Sequence, residues 1–256
     1  MAKQYLPKIT VITIVKNDPE GFLITARSVL KQDYPKIEWV VVDGLSTDAT
    51  SLYINNLLPC ISALKIEVDT GIYNAMNKGI DMASGDWIFF MNAGDIFFKS
   101  TTVSEYVKRI KPDDEVIFSN VVRREDGKIH LYKDINKIWM GMSFDHQSIL
   151  VRTKIYKALK YDESYKISGD NDFFSRAYQN GYKFRKLPFI IACKKPFNTG
   201  ASSDFILRQG ERIRVMKKYY ADKPWKISLL KEYKYTFKSK KISRQEFINL
   251  NKLIEG

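Results

Sequence analysis

The chain has 256 residues, 45% of them hydrophobic and 28% charged, with 15 Tyr and 15 Phe; this supports one large domain or a domain with an appended subdomain and excludes a disordered protein. Two cysteines, Cys60 and Cys193, exclude a disulfide framework or zinc site and read as small buried residues of a reducing compartment; with no signal-like opening and no membrane-length apolar run, a cytoplasmic protein is expected. The net charge of +13 is uneven, since Phe205 to Gly256 holds 14 Lys and Arg against 5 Asp and Glu, which points to an anionic partner or to a solvated Lys-rich helical surface.

The first half alternates β-branched runs with helical patterns, as a βαβ sheet does. Ile9 to Val15 (ITVITIV) suits a buried central strand, Glu20 to Gln32 a helix, and Ile37 to Val42 (IEWVVV) a second buried strand. Asp48 is placed to cap a helix that runs to about Leu58 and stops at Pro59. Leu64 to Val68 reads as a third strand. Ile72, Met76, Ile80 and Ala83 keep helical spacing up to Ser84-Gly85, and Trp87 to Met91 (WIFFM) is a fourth strand. Beyond Ser100 the pattern loosens. A helix is predicted around Thr102 to Ile110, strands near Val116 to Ser119 and Ile129 to Tyr132, a helix over Asn171 to Gln179, and an extended stretch over Phe184 to Ala192. From Asp204 onward the pattern is helical and basic, broken near Pro224.

Each of the first four predicted strands is followed by polar residues: Lys16-Asn17-Asp18, then Asp43 to Asp48, then Asp69-Thr70-Gly71, then Asn92-Ala93-Gly94-Asp95. Ligands of open α/β sheets bind outside the carboxyl ends of the strands. Turns and helix caps use the same residue types, but they need no acid after every strand. Asp95 follows a strongly apolar strand and can hold Mg²⁺ or Mn²⁺, ions that pair one or two carboxylates with substrate phosphates. No P-loop and no Gly-x-Gly-x-x-Gly follows the first strand, which argues against ATPase and dinucleotide-cofactor chemistry.

The order ITVITIVKN, VVDGLSTDAT and DTGIYNAMNKGIDMASGDWIFFMNAGD resembles the inverting glycosyltransferase family 2, especially bacterial members that build colanic acid, O-antigen or capsular polysaccharide. The resemblance is dense over Ile9 to Asp95 and weaker from His146 to about Ser203. It implies the GT-A fold of nucleotide-diphospho-sugar transferases, a mixed, mostly parallel sheet flanked by helices, here followed by a basic helical C-terminal segment. By that reading residues 1–204 form the catalytic domain, with a nucleotide-sugar-binding half (1–99) and an acceptor half (100–204), and 205–256 form the tail. The resemblance also implies site roles. Thr13, Val15 and Asn17 would line the base and ribose pocket, Asp43 would bond the base, and Asp69, Asn77 and Lys78 would lie near ribose and phosphates. Asn92, Ala93, Gly94 and Asp95 stand where the family has its metal-binding Asp-x-Asp loop, with Asp95 the one carboxylate left to hold Mn²⁺ or Mg²⁺. Met76 stands where many members have arginine, which leaves Lys78 to supply positive charge.

In Ser168-Gly169-Asp170-Asn171-Asp172-Phe173-Phe174-Ser175-Arg176 the resemblance places the catalytic base at Asp170, with Asp172 the alternative; the plain reading is a helix cap and first-turn acid. His146 is a candidate contact for acceptor or metal, and Lys195 to Asp204 a candidate closing loop. The implied partners are a nucleotide-sugar donor, most simply a UDP-sugar, and a saccharide or lipid-linked acceptor. The basic tail, interleaved with Tyr219, Tyr220, Trp225, Tyr233, Tyr235 and Phe237, is expected to lie against an anionic inner membrane face, unless those aromatics pack it onto the core. Rival readings are a non-catalytic binder of nucleotide sugars and a nucleic-acid-binding protein; no recognition motif supports the latter, and no nucleic-acid partner is expected.

Overall fold

A run of seven buried residues, β1 (Ile9–Val15), lies inside the sheet with a strand on either side. The computed structural model describes residues 6–124, 126–130, 132, 134–140, 145–194, 204–238 and 242–255. After β1 come α1 (Pro19–Leu30), β2 (Ile37–Asp43), α2 (Thr50–Leu57), β3 (Ala63–Ile66), α3 (Ile72–Met82) and β4 (Trp87–Phe90). β1 pairs in parallel with both β2 and β4, and β2 with β3. The carboxyl ends of these four strands therefore share one edge. Helix α1 begins where Asp18 accepts from Gly21 N at 3.0 Å with Pro19 behind it, a side-chain cap with proline in the first turn. Phe22 of α1 stacks on Trp39 of β2, whereas Gly79 of α3 lies against Ile12 and Val42. Side chains alternate along a strand, so α1 and α3 cover opposite faces of the sheet.

The second half adds β5 (Ile96–Phe97), α4 (Thr102–Val107), β6 (Val116–Arg123), β7 (Ile129–His130), β8 (Ile149–Arg152), α5 (Thr153–Leu159), α6 (Gly169–Gln179) and β9 (Phe184–Lys194). The sheet runs β3-β2-β1-β4-β8-β6-β9-β5, with β7 paired to β6. β8 is antiparallel to both β4 and β6, which makes the sheet mixed. Sequence patterning gave no sign of β5, β8 or α5. Two- to four-residue strands carry too few positions for a period to emerge.

Beyond residue 204 come α7 (Phe205–Tyr219), α8 (Trp225–Lys238) and α9 (Arg244–Glu255). Helix α9 opens on a reciprocal cap in which Ser243 N donates to Glu246 and Glu246 N to Ser243 Oγ. Tyr220, Trp225 and Tyr233 are buried, and Phe237 stacks on Phe247 at 4.9 Å. Tyr220, Trp225 and Tyr233 are thus packed against the protein, which is the alternative to a membrane-facing role for these three aromatics. The cysteine expectation fails, since Cys60 is exposed and Cys193 only half-buried. Among the described residues no helix is long and apolar enough to cross a membrane.

Candidate active site

The loops after β1 and β2 are tied together by side chains of the shared edge. Asn17, with φ +49°, donates its backbone N–H to Ser46 Oγ at 2.8 Å and accepts from Thr47 N at 2.8 Å. Leu45 also has positive φ, at 62°; backbone held in this region by non-glycine residues often marks a functional loop. Asp43, fully buried, accepts from the hydroxyl of Ser46 at 2.5 Å and from its N–H at 3.1 Å. Beyond β3, Lys78 donates to Asp69 at 2.9 Å and to the carbonyl of Val68 at 2.8 Å and pairs with Glu67 at 3.0 Å. Partial burial works against its charge, but Asp69 and Glu67 overcome that and raise its pKa above the usual lysine value.

The loop after β4 is held rigidly. Gly94 adopts φ 97°, and its N–H reaches Gly21 O and Thr25 Oγ1, both at 2.9 Å. The Thr25 hydroxyl in turn donates to Asp95 O at 2.7 Å. Asp95 is 5% exposed, with Oδ1 accepting from Gln147 Nε2 at 3.3 Å. Its Oδ2 lies 3.6 Å from His146 Nε2, and His146 Nδ1 lies 3.1 Å from Asp170 Oδ2. One imidazole thus bridges the carboxylate after β4 and the carboxylate that opens α6. Burial opposes a charge on His146, yet Asp170 foremost and Asp95 next favour it, and its pKa is pushed up to about 10. Asn92 Nδ2 also lies 3.1 Å from His146 Nε2. Asp170 Oδ1, Asn92 Oδ1 and Gln147 Oε1 are buried without a hydrogen-bond partner among the described residues. Such acceptors are costly unless a bound group satisfies them.

The structure brings Asn92, Asp95, His146 and Asp170 together, and sets Asn17 and Asp43, then Asp69 and Lys78, along the same edge. Other expected residues are occupied elsewhere. Thr13 is fully buried and accepts from Trp39 Nε1 at 3.0 Å, and Val15 is 5% exposed. Asn77 uses its whole amide on Tyr161 and Glu163. Met76 is buried in the core. Asp172 is wholly buried, bonded to Arg176 Nε at 2.8 Å, Lys218 Nζ at 3.2 Å and Tyr219 OH at 2.8 Å. Of the expected closing loop, 195–203 lie outside the described residues. Sequence reading missed Gln147, Arg124, whose guanidinium donates to Gly94 O at 3.0 Å, and Tyr73, whose hydroxyl donates to Ile167 O at 2.6 Å. The position of Gln147 beside His146 was the one available signal.

The family model "Glycosyl transferase family 2" matches residues 10–203. A PGL/p-HBAD biosynthesis glycosyltransferase of Mycobacterium tuberculosis (strain H37Ra) is 28% identical over 193 residues, covering 71% of this chain and 75% of the relative. Among solved structures, S. aureus TarS 1-349 in complex with UDP-GlcNAc superposes with a TM-score of 0.74 at 18% identity, over 95% of this chain and 79% of that one. A mannosyltransferase of Pyrobaculum calidifontis in complex with GDP-Man and Mn²⁺ gives a TM-score of 0.66 at 20% identity; the match covers 84% of this chain and 64% of that one. At these identities the structural likeness speaks for the fold.

Proposed function

Since the chain belongs to glycosyl transferase family 2 and is a glycosyltransferase, we propose that it inverts the anomeric centre in one displacement, moving a sugar from a nucleoside diphosphate to a saccharide or lipid-linked acceptor of a bacterial surface polysaccharide. The observation that carries this reading is Asp170: a carboxylate at the sheet edge with one oxygen fixed by His146 at 3.1 Å and the other buried without a hydrogen-bond partner among the described residues. This Oδ1 accepts the proton of an acceptor hydroxyl as that oxygen bonds to the anomeric carbon and the carbon–phosphate oxygen bond breaks. His146 holds the carboxylate in place and spreads positive charge between Asp170 and Asp95. Asn17, Asp43 and Asp69 offer acceptors for the base and ribose, and Lys78 a cation near the phosphates. The solved neighbours were captured with UDP-GlcNAc and GDP-Man, and a UDP-sugar is the donor proposed here.

A divalent ion fits the residues around Asp95. Asn92 Oδ1 and Gln147 Oε1 are buried oxygens without a partner among the described residues, close to that carboxylate, and oxygen donors suit Mg²⁺ or Mn²⁺. Among the described residues no group of three or more His, Cys, Asp and Glu could hold a metal ion by itself, so the ion proposed here would rely on one carboxylate and the substrate phosphates. When bound, it would neutralise charge on the departing nucleoside diphosphate. The test is a thermal-shift screen of UDP- and GDP-sugars with and without Mn²⁺. A specific donor raises the melting temperature in a metal-dependent manner, and Asp95→Ala removes that dependence while the fold survives. Equal metal-dependent shifts in the variant and the unaltered protein would overturn the assignment of Asp95.

The exposed lysines of α7, α8 and the turn between them, Lys217, Lys218, Lys223, Lys226, Lys231, Lys234 and Lys238, support a peripheral contact with an anionic membrane face, where a lipid-linked acceptor would be met.

A further inference from the structure

Glu211 lies in α7, beyond the residues matched by the family model, and is 8% exposed. Its carboxylate accepts three consecutive backbone N–H groups, from Lys166 at 2.7 Å, Ile167 at 2.9 Å and Ser168 at 2.8 Å. These residues lead directly into α6, whose second residue is Asp170. Other polar groups of the segment are held as well. Ser168 Oγ donates to Arg208 O at 3.2 Å, one turn before Glu211 in α7. On the other side Tyr73 OH donates to Ile167 O at 2.6 Å and accepts from Asp170 N at 3.4 Å. Gly169 permits this approach, since a Cβ there would stand 2.6 Å from the Tyr73 ring.

Docking of α7 does not require such an arrangement. Ile213, Val215 and Met216 are buried, and Lys218 and Tyr219 already bond Asp172 of α6. A buried carboxylate is costly unless its hydrogen bonds offset desolvation, and here the three bonds to Glu211 all come from the backbone that precedes Asp170. A helix N-terminus shifted by a fraction of a residue would carry Asp170 away from His146.

We propose that Glu211 is a positioning residue: it clamps the backbone of 166–168 and so fixes the Asp170 carboxylate against His146 and the acceptor, which makes α7 part of the catalytic machinery. The inference rests on Asp170 as the base. Misplacing a reacting group by about 1 Å can cost on the order of 10²-fold in rate, so Glu211→Ala is expected to lower kcat by roughly 10–100-fold. Donor affinity, read by titration, should stay within about twofold, because the donor residues lie on other loops. Glu211→Gln keeps one acceptor oxygen but turns an amide NH₂ towards the third N–H, and should fall between Ala and the unaltered enzyme.

The experiment measures nucleoside diphosphate release from UDP-GlcNAc and GDP-mannose by the full chain, well below its melting temperature, alongside hydrogen exchange of residues 166–170. Glu211→Ala, Glu211→Gln, Asp170→Asn and, as a control away from the site, the exposed Lys157→Ala are compared. Slower turnover with retained donor affinity and faster exchange at 166–168 support the clamp. If Glu211→Ala does not fold, the same comparison is read from Glu211→Gln. A Glu211 variant that melts earlier but turns over normally overturns the clamp while the Asp170 reading stands. If turnover survives in Asp170→Asn the base reading fails; in that case, or if neither the unaltered chain nor any variant turns over either donor, exchange alone decides the clamp, and unchanged protection at 166–168 overturns it.

Discussion

Asp170 and Asp172 stand two positions apart at the start of α6, and their surroundings separate them. Asp172 is fully buried and satisfied by a guanidinium, an ammonium and a phenol, whereas Asp170 keeps one oxygen without a partner among the described residues. Asp170→Asn should therefore lower transfer by roughly 10²–10⁴-fold with donor affinity retained. Asp172→Asn weakens charge-assisted hydrogen bonds that join α6 to α7 and should cost about 2 kcal/mol of stability. Its turnover below the melting temperature should be nearly normal. Steady-state rates and denaturant midpoints for the two variants check both outcomes; loss of transfer in Asp172→Asn alone would place the base two residues later.

Glu38 in β2 joins elements at the sheet edge opposite the site. It bonds Lys8 Nζ at 2.7 Å, Thr10 Oγ1 at 2.6 Å and Ser84 N at 2.8 Å, as well as the Ser84 hydroxyl, and so links β1, β2 and the end of α3. Burial alone would raise its pKa, but the bonds from Lys8, Ser84 and Thr10 prevail and lower it from 4.5 to about 2. A carboxyl whose folded pKa is depressed adds stability above its unfolded pKa and loses it as pH falls through the folded value. The contribution of Glu38 is therefore complete above about pH 5 and declines between about 4.5 and 2. Urea midpoints measured over that window should fall less steeply in Glu38→Gln than in the unaltered protein, and parallel curves would remove Glu38 as the cause.

Across the whole molecule, the positive charge of the tail and its apolar side chains do different jobs. Tyr220, Trp225 and Tyr233 are spent in packing, which leaves the exposed lysines of α7 and α8 as the means of meeting an anionic surface. Each basic residue near such a surface contributes about 1 kcal/mol and is screened by salt. Binding should therefore be reversible, confined to anionic lipid and lost at high ionic strength. Co-sedimentation with phosphatidylserine-containing and phosphatidylcholine vesicles measures this. Equal and negligible binding to both would end the proposal, and equal binding to both at high salt would point to apolar insertion instead.

The parallel order of the first four strands and the polar residues after each were legible in the sequence, because both follow from local patterns: buried β-branched runs, helical spacing between them, and Asx or Gly at the breaks. The helix over 171–179 was equally legible from its period, but not which of its acids serves the site. Residues two apart on a helix point about 200° apart, and only the docking of α6 decides that Asp172 meets Lys218 and Tyr219 while Asp170 meets His146. The same holds for His146 between Asp95 and Asp170, for Glu211 beneath a loop 43–45 residues earlier in the chain, and for the burial of the tail aromatics. A local pattern records how one element presents its faces; which distant element covers each face is settled by the packing of the whole chain.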